Sequence, residues 1–374
     1  MAVRLGFLST YPSTQCGIAT FCEALVTHLQ GAGAEVGVVR LVDDPQVRRP
    51  PVVHEWVAGA NGAVDGVVDA LNGYDVAVIQ HEYGIFPGPD GEALLRVLPQ
   101  LTVPVVSILH TVLTAPSANQ RRVMEWLVEF STVLVTMTQT ARDRLIAGWG
   151  VEPSRVVVIP HGATDNRSAS TDVLPARPTV LTWGLLSEGK GIEWALRGLS
   201  ILRETTALPD YRIVGQTHPR VLERDGEAYR ESLMALARDL DLTRTVSFDG
   251  RYLSGPALRQ VVREADVILL PYDSRDQVTS GVLTEAVVAG KPVISTGFPH
   301  AVELLSGGAG ILVPQRDPVA IAAALEQLLT TPGAAGRMAA TSRRLASSLL
   351  WPAVATRYLE LSQSLVGAAV PTGV

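Results

Sequence analysis

Two polar side chains late in the chain have the type and spacing to hold a hydroxyl-bearing ligand. Gln277 lies in a polar segment after the apolar run 267–270, and Glu285 falls in the first turns of the helix predicted next. If that run is a buried parallel strand, both side chains lie at its carboxyl end, where open α/β sheets bind ligands. An amide and a carboxylate placed there can anchor a sugar and the ribose of a nucleotide.

A lysine between two glycines provides a cation at a comparable place. Lys190 stands between Gly189 and Gly191, after the apolar run 179–183 and at the start of a predicted helix. The glycines leave the turn permissive, and the ammonium group adds a point charge to the unpaired N–H groups of the helix start. The pattern favours diphosphate binding over an ordinary solvated lysine. It is not a Walker A loop, because the spacing GxxxxGK[ST] is absent.

Polar residues also follow two predicted strands in the first half. His81 and Glu82 come after the run 75–80, and His110 comes after the next apolar run. Because the carboxyl ends of parallel strands share one edge of a sheet, these side chains should converge with the loop around Gly17. A single histidine there would be read as a strand-end cap. Two at matching strand ends favour a site.

The elements that must position these residues form two series of apolar runs separated by helical segments. The first series is 3–9, 36–41, 75–80, 104–109, 132–136 and 156–159; the second is 179–183, 211–214, 245–248, 267–270, 292–295 and 311–313. Buried strands that alternate with helices predict an α/β protein with two parallel-sheet domains and a crevice between their carboxyl-end edges. Pro, Gly, Asn and Ser cluster in 160–177, which predicts the linker there.

Composition limits the class of protein. A length of 374 residues favours two domains, and 47% hydrophobic with 18% charged residues fits a large α/β core. The formal charge of −6 argues against nucleic acid as a partner. Cys16 and Cys22 supply neither a disulfide framework nor a metal-ligand set, so a cytoplasmic location is expected. No run approaches about 18 apolar residues; no transmembrane segment is therefore expected, and peripheral membrane contact stays open.

With these residues in view, the chain resembles the retaining nucleotide-sugar glycosyltransferases of the GT-B fold, in particular glycosyltransferase family 4 (glycosyl transferases group 1). The resemblance covers essentially the whole chain, and its order and spacing are specific. It is carried by Cys16-Gly17, His110, VVVIPHG at 156–162, GLLSEGKG at 184–191, YRIVG, VSFDG, and the segment from Gln277 to Glu285 followed by AVVAGKPVIS.

The resemblance implies two Rossmann-like domains that face each other across a cleft, with the last helix, from Trp351, crossing back to the first domain. The expected boundaries are 1–168 plus 351–374 for the acceptor-side domain and 169–350 for the domain that binds the nucleotide-sugar donor. Closure of the two domains is expected, with hinges near 160–177 and before Trp351.

The resemblance also assigns roles to residues. Lys190 would bind the donor diphosphate, Glu285 the ribose hydroxyls, and His110 the transferred sugar near its anomeric carbon. With Gln277 these make up the predicted catalytic set. Further donor contacts are expected at Gly17, Gly184, Gly191, Gly250, Arg251, Tyr252, Arg275, Ser280, Gly281 and Val282. The expected acceptor-side residues are Tyr11, Cys16, His81, Glu82 and Tyr83.

The chain departs from the family pattern at three places. Leu185 stands where the family usually has an arginine, and Arg275 is the candidate substitute for the missing cation. Gln277 replaces the first of the paired glutamates; an amide still binds hydroxyls but brings no negative charge. Cys16 replaces one glycine of the first loop, and it is read as a tolerated small residue because the sequence shows no adjacent base.

The expected function is retaining transfer of a hexosyl unit, in carbohydrate biosynthesis, from a nucleoside-diphosphate sugar to an acceptor hydroxyl on a glycan, lipid or small molecule. This is a hexosyltransferase reaction of EC 2.4.1 type. It needs no cofactor beyond the donor co-substrate and no metal, because protein groups meet the leaving-group charge and no DxD pair stands at a strand end. The alternatives are a nucleotide-sugar epimerase or hydrolase of the same fold and a non-catalytic nucleotide-sugar-binding protein. GDP-mannose, UDP-glucose and related donors all stay open.

Overall fold

The structure, a computed structural model, describes residues 2–59, 62–167 and 174–369. Contacts divide the chain into two compact units, Met1–Gly162 with Trp351–Val374 and Ala163–Leu350. The boundary predicted between residues 168 and 169 lies outside the described residues, as does part of the linker predicted at 160–177. Each unit is an α/β domain with a parallel sheet, which confirms the predicted fold class.

Within the described residues, the first unit contains a seven-stranded parallel sheet in the order β3-β2-β1-β4-β5-β6-β7. The strands are β1 (Arg4–Ser9), β2 (Glu35–Val42), β3 (Val52–Val57), β4 (Val76–His81), β5 (Val105–Leu109), β6 (Val133–Thr136) and β7 (Val156–Val158). The connecting helices are α1 (Gly17–Gly31), α2 (Ala63–Asn72), α3 (Ala118–Phe130) and α4 (Gln139–Trp149), with short 3₁₀ turns at Pro89–Arg96, Leu98–Gln100 and Pro153–Arg155. The central strands are almost wholly buried, because helices cover both faces of a parallel sheet.

The second unit contains a six-stranded parallel sheet, again within the described residues, in the order β10-β9-β8-β11-β12-β13. The strands are β8 (Thr179–Trp183), β9 (Asp210–Val214), β10 (Val246–Asp249), β11 (Val267–Leu270), β12 (Val293–Thr296) and β13 (Gly310–Val313). The helices are α5 (Ile192–Leu202), α6 (Pro219–Asp225), α7 (Ala228–Asp239), α8 (Gly255–Glu264), α9 (Gly281–Val288), α10 (Pro299–Leu305), α11 (Pro318–Thr330) and α12 (Ala334–Leu349). The order of the central strands, β9-β8-β11, places the loops after β8 and β11 side by side.

The last helix, α13 (Trp351–Ala369), belongs to the first unit. Its residues Trp351, Val354 and Tyr358 are buried in the same core cluster as Phe21 of α1. Gly162 makes room for this helix, because a Cβ atom at that position would collide with the indole ring of Trp351. The apolar face of α13 therefore completes the core of the first unit from the far end of the chain.

Strand β3 is absent from the predicted elements. The run Val52–Val57 is interrupted by His54 and Glu55, and it forms an edge strand whose pairing with β2 shifts register between Val38 and Val39. Glu55 is nearly buried and accepts from the Arg40 guanidinium at 2.5 Å. A buried ion pair across neighbouring strands leaves no trace in a hydrophobic pattern, so only the tertiary structure shows why two charges are tolerated there.

Candidate active site

Strands β1, β4 and β5 are neighbours, so the segments after them meet at one edge of the first sheet. The backbone N–H of His110 donates to the carbonyl of His81 at 3.0 Å, and the Thr111 hydroxyl donates to Glu82 at 2.5 Å. The two strand ends predicted to converge are thus hydrogen-bonded to each other.

The His110 ring is held by two contacts. Its Nε2 lies 2.5 Å from Oε1 of Gln80, and the ring packs on Phe21 in a T-shaped contact at a centroid distance of 4.9 Å. Burial holds the pKa of His110 well below its usual value, and His161 and His81 lower this pKa further. The ring is therefore neutral at physiological pH, so it can donate one hydrogen bond and accept another.

His81 does not stand where an acceptor contact needs it. The ring is fully buried, meets Tyr83 edge-on at 4.8 Å and stacks on Phe86 at 6.5 Å. Both ring nitrogens lack hydrogen-bond partners within the described part of the chain, and burial lowers the pKa of His81 to about 3. The prediction that His81 lies on the acceptor wall is therefore corrected, because the strand end turns this side chain into the interior.

The other predicted acceptor-side residues differ in exposure. Glu82 is partly exposed and accepts from the backbone N–H of Tyr83 at 3.0 Å. Tyr83 is buried, and its hydroxyl donates to the Gln120 carbonyl at 3.4 Å. Tyr11 is also buried, which raises its pKa to about 12. Of these three, Glu82 alone offers a partly exposed polar group.

The loop before α1 ends in a cysteine cap. Cys16 Sγ accepts from the backbone N–H of Ala19 at 3.3 Å and lies 3.2 Å from the Thr10 hydroxyl, so the side chain serves as the N-cap of α1. Gly17 is the first residue of that helix, and a Cβ atom there would have no neighbour within 4 Å. Protein packing therefore does not require a glycine at this position, and the open space is available to a ligand.

In the second unit, the glycine loop after β8 docks on the loop after β11. Gly191 has φ +63 and caps α5, and a Cβ atom at Gly191 would collide with the Pro271 carbonyl. The backbone N–H of Asp273 donates to the Gly189 carbonyl at 2.8 Å. These two contacts fix the turn that carries Lys190.

The Lys190 ammonium lies over an aromatic ring. Its Nζ is 4.2 Å from the ring centroid of Tyr272, and this fully buried ring stacks on Phe298 at 5.4 Å. Burial lowers the pKa of Lys190 to about 8, so the group is still mostly protonated at neutral pH. No carboxylate among the described residues forms an ion pair with it. The loop thus presents a positive charge that no carboxylate in the described part of the chain neutralises.

Glu285 lies in α9, whose N-cap is Ser280. The Ser280 hydroxyl accepts from the backbone N–H of Leu283 at 3.2 Å, and the Ser280 backbone N–H donates to Nδ1 of His300 at 2.8 Å. Burial raises the pKa of Glu285 to about 7, while a hydrogen bond from the Trp183 side chain and the charge of Arg259 act against this rise. The carboxyl group is thus poised between its two protonation states near neutral pH.

The remaining donor-side residues lie on three strand-end turns. Gln277 Nε2 donates to the Thr279 carbonyl at 3.2 Å, and Arg275 is exposed on the same loop. Gly184 has φ +120, and a Cβ atom at Gly215 would collide with its carbonyl, so the turns after β8 and β9 pack backbone to backbone. Gly281 and Val282, at the start of α9, are partly exposed.

The turn after β10 carries the two residues that were predicted to flank a base, Arg251 and Tyr252. Arg251 donates to both carboxylate oxygens of Asp249, at 2.9 and 2.6 Å, and Tyr252 is 43% exposed. A Cβ atom at Gly250 would lie 3.1 Å from the Arg230 guanidinium, so this glycine accommodates a protein side chain. Contact between this turn and a base stays a prediction.

Three residues that contact the predicted site were not predicted as site residues. Tyr272 lies against Lys190, Trp183 donates to Glu285, and Gln80 contacts His110. Trp183 and Gln80 occupy the last two positions of their strands, where a side chain at the carboxyl edge reaches the neighbouring loop. A position at the end of a predicted strand was the signal that could have indicated Trp183 and Gln80. The hydrophobic pattern does not show which side chain each of them contacts.

Two features are absent from the described residues. They contain no group of three or more His, Cys, Asp or Glu side chains placed to hold a metal ion. They also contain no helix with the length and apolar character needed to cross a bilayer.

Two family sequence patterns match the chain. The pattern of Glycosyltransferase Family 4 matches residues 16–167, and that of Glycosyl transferases group 1 matches residues 177–331. The D-inositol 3-phosphate glycosyltransferase of Kineococcus radiotolerans is 30% identical over 296 residues, which are 71% of this chain and 67% of that protein. The glycogen synthase of Mycobacterium tuberculosis is 29% identical over 68% of this chain and 61% of its own length. The D-inositol 3-phosphate glycosyltransferase of Corynebacterium diphtheriae is 28% identical over 68% of this chain and 64% of its own length. The chain thus spans less than two thirds of the length of each of the last two relatives.

Solved structures agree on the fold. Sucrose-phosphate synthase from Thermosynechococcus elongatus has a TM-score of 0.79 at 19% identity, covering 98% of this chain and 100% of that one. Anabaena HepE, in complex with UDP and glucose, has a TM-score of 0.76 at 18% identity, covering 97% and 100%. From these matches together, the chain belongs to the GT-B glycosyltransferases of family 4.

Proposed function

We propose that this chain transfers a hexosyl unit, with retention of configuration, from a nucleoside-diphosphate sugar to an acceptor hydroxyl. The observation that supports this most directly is the unneutralised Lys190 ammonium at the start of α5, held by glycines over Tyr272. A diphosphate brings the negative charge that this place lacks, and the free N–H groups of the helix start add hydrogen bonds to it. Such preorganised groups stabilise the leaving diphosphate as the glycosidic bond breaks.

Glu285 is proposed to bind the ribose hydroxyls of the donor. Trp183 holds the carboxyl group by a hydrogen bond, which leaves its remaining acceptor positions for a diol. Gln277 is proposed to hydrogen-bond the sugar, and His110 to contact the sugar near its anomeric carbon. The complexes of HepE with UDP, glucose and UDP-glucose support a donor of this class.

The route of transfer follows from what the residues lack. Of the four proposed catalytic residues, Gln277 and His110 are neutral and Lys190 is cationic, so none of these three is a charged nucleophile. The fourth, Glu285, is assigned to the ribose hydroxyls. The leaving phosphate itself would therefore help to deprotonate the acceptor on the same face of the sugar, which gives retention. The reaction is proposed to proceed without a metal, and loss of activity in EDTA with recovery on adding Mg²⁺ would contradict that part.

The acceptor is proposed to be a hydroxyl of a glycan, a lipid or a small molecule. The names of the relatives include an inositol phosphate and glycogen, which are respectively a small polyol and a glucan. Glu82 and the open space at Gly17 are the acceptor-side features that support this assignment. A cytoplasmic location with peripheral membrane contact, if the acceptor is a lipid, completes the proposal.

Protection of a lysine from chemical labelling tests the donor site. The sequence contains only two lysines, Lys190 and Lys291. An amine-reactive reagent followed by mass spectrometry measures the rate at which each is modified, with and without UDP or GDP. At a ligand concentration 100 times its Kd, labelling of Lys190 should slow by roughly 100-fold.

Lys291 is the internal control. Its ammonium donates to the Arg263 carbonyl at 2.7 Å and has no proposed role in donor binding, so its labelling rate should not change. If calorimetry shows that UDP or GDP binds while Lys190 is labelled at the same rate, the proposed diphosphate site is wrong.

Replacing Glu285 with glutamine is expected to stabilise the fold above pH 7 while weakening nucleotide binding about tenfold. Burial raises the pKa of Glu285 to about 7 in the folded chain. A raised folded pKa gives stability that is full below the unfolded pKa and is lost as pH rises through about 7. Glutamine has no charge to bury, so the variant should unfold roughly 2–4 °C higher near pH 8 and show no gain near pH 5.

The matched control is Glu264→Gln. That carboxylate contacts Arg212 at the surface, and hydrogen bonds from Gln260 and Arg212 lower its pKa, so its loss should bring no such gain. Thermal unfolding at the two pH values decides the matter. An equal melting temperature for wild type and Glu285→Gln near pH 8 would show that burial of the ionised carboxylate does not destabilise the fold.

A further inference from the structure

A buried glutamine contacts the ring of His110. Gln80 is the next-to-last residue of β4, has no exposed surface, and places its Oε1 2.5 Å from Nε2 of His110. Its amide nitrogen has no hydrogen-bond partner within the described residues and no access to solvent. The amide oxygen of Gln80 thus contacts His110, and the amide nitrogen has no hydrogen-bond partner among the described residues.

Packing alone does not account for a glutamine at this position. An unpaired amide N–H in the interior is unfavourable, whereas methionine has a similar shape and buries no polar group. Gln80 pairs with Ile108 of β5, and Ile108 belongs to an apolar core cluster with Val78 and Phe21 that would suit a methionine equally well. The contact that only the amide provides is the hydrogen bond to the histidine ring.

That hydrogen bond sets which ring nitrogen carries the proton. A carbonyl oxygen can only accept, so Nε2 of His110 must be the N–H nitrogen, and Nδ1 of the neutral ring then has a free lone pair. No described residue forms a hydrogen bond to Nδ1. The edge contact with Phe21 and the backbone bond to the His81 carbonyl hold the ring and the main chain from two other directions.

We propose that Gln80 is a positioning residue that fixes His110 in its Nε2–H form, so that Nδ1 accepts a hydrogen bond from a hydroxyl of the transferred sugar. This inference rests on the proposed function, in which His110 contacts that sugar. The other titratable rings that influence His110 are His81 and His161, and burial keeps both neutral. Gln80 is therefore the described partner that breaks the symmetry between the two ring nitrogens.

NMR of the protein with ¹⁵N-labelled histidine tests the contact without any substrate. The signals of His110 are identified by their absence in His110→Asn. Wild type should show a proton on Nε2, none on Nδ1, and slow exchange of that proton with water. Gln80→Met keeps the shape but should lose the slow exchange. Gln80→Glu keeps the acceptor, adds a negative charge, and should raise the pKa at which His110 titrates.

A proton on Nδ1 in the wild type would overturn the proposal, since the amide would then have to be reversed. Unchanged exchange in Gln80→Met would overturn it as well. If Gln80→Met does not fold, as thermal unfolding would reveal, the wild-type spectrum and the titration of Gln80→Glu still decide.

Kinetics separate this inference from the proposed function. Release of UDP or GDP from UDP-glucose or GDP-mannose is measured for wild type, Gln80→Met and His110→Asn. Gln80→Met should lower kcat about 100-fold, through loss of ring orientation, and change the donor KM less than about threefold. Full turnover in His110→Asn would refute the role of His110 in the proposed function. Full turnover in Gln80→Met, with His110→Asn impaired, would refute the positioning role alone.

Discussion

Replacing Lys190 with methionine should weaken the binding of UDP or GDP about 10- to 100-fold and lower turnover about 10²- to 10³-fold. Methionine keeps a long apolar side chain over Tyr272 but removes the charge. The larger effect on turnover is expected because negative charge builds up on the diphosphate as the sugar leaves, and the ammonium group stabilises this state most. Isothermal titration calorimetry measures the first effect and steady-state kinetics the second.

Two variants control this experiment. Lys291→Met removes the other lysine, whose ammonium binds a backbone carbonyl, and should leave nucleotide affinity unchanged. Lys190→Arg keeps the charge at all accessible pH values. Since the pKa of Lys190 is about 8, wild-type affinity should decline above that pH and the arginine variant should not. An affinity of Lys190→Met within about threefold of wild type would exclude the proposed role.

Replacing Gly191 with alanine should destabilise the second unit by roughly 3–5 kcal/mol and abolish nucleotide binding. Two effects add. The residue has φ +63, which disfavours any side chain, and the new methyl group would collide with the Pro271 carbonyl. Relief of the collision must move the loop after β8 away from the loop after β11, and Lys190 would then leave its place over Tyr272. Denaturant unfolding and UDP titration measure the two effects.

Gly189 offers the matched control, because it flanks Lys190 on the other side. It also has positive φ, at +86, but a Cβ atom there would have no neighbour within 4 Å. Gly189→Ala should therefore lower the free energy of unfolding by about 1–2 kcal/mol, because of the unfavourable positive φ alone, and should retain nucleotide binding. Equal losses in the two variants would show that the contact with Pro271 does not hold the loop.

Strands were the part of the fold that the sequence predicted well. The predicted bounds of β8 and β11 agree with the structure to the residue, because both are short β-branched or leucine-rich runs buried on both faces. Strand β3 could not be found in this way. Its polar residues are tolerated because Glu55 pairs with Arg40, and this pairing joins residues 15 positions apart.

The sequence predicted the parts of the candidate site that depend on local backbone conformation. It did not predict the parts that depend on how side chains pack. Glycines on both sides of Lys190 indicated a helix-start anion site, and the structure places that lysine at the start of α5. The contact between the Lys190 ammonium and the Tyr272 ring depends on how the loop after β8 packs on the loop after β11. His81 illustrates the opposite error. Its position after a strand indicated the shared edge correctly, but the direction of its ring depends on a core built by Tyr83 and Phe86.

The packing of Trp351 on Gly162 has a consequence for synthesis of the chain on the ribosome. Residues Met1–Gly162 are synthesised first, but α13, the helix that completes their core, is the last helix of the chain to be synthesised. The core around Phe21 must wait with an open apolar surface until α13 arrives. The part of the protein that is made first therefore cannot complete its core until the chain is finished, and until then its exposed apolar surface is a natural target for chaperones.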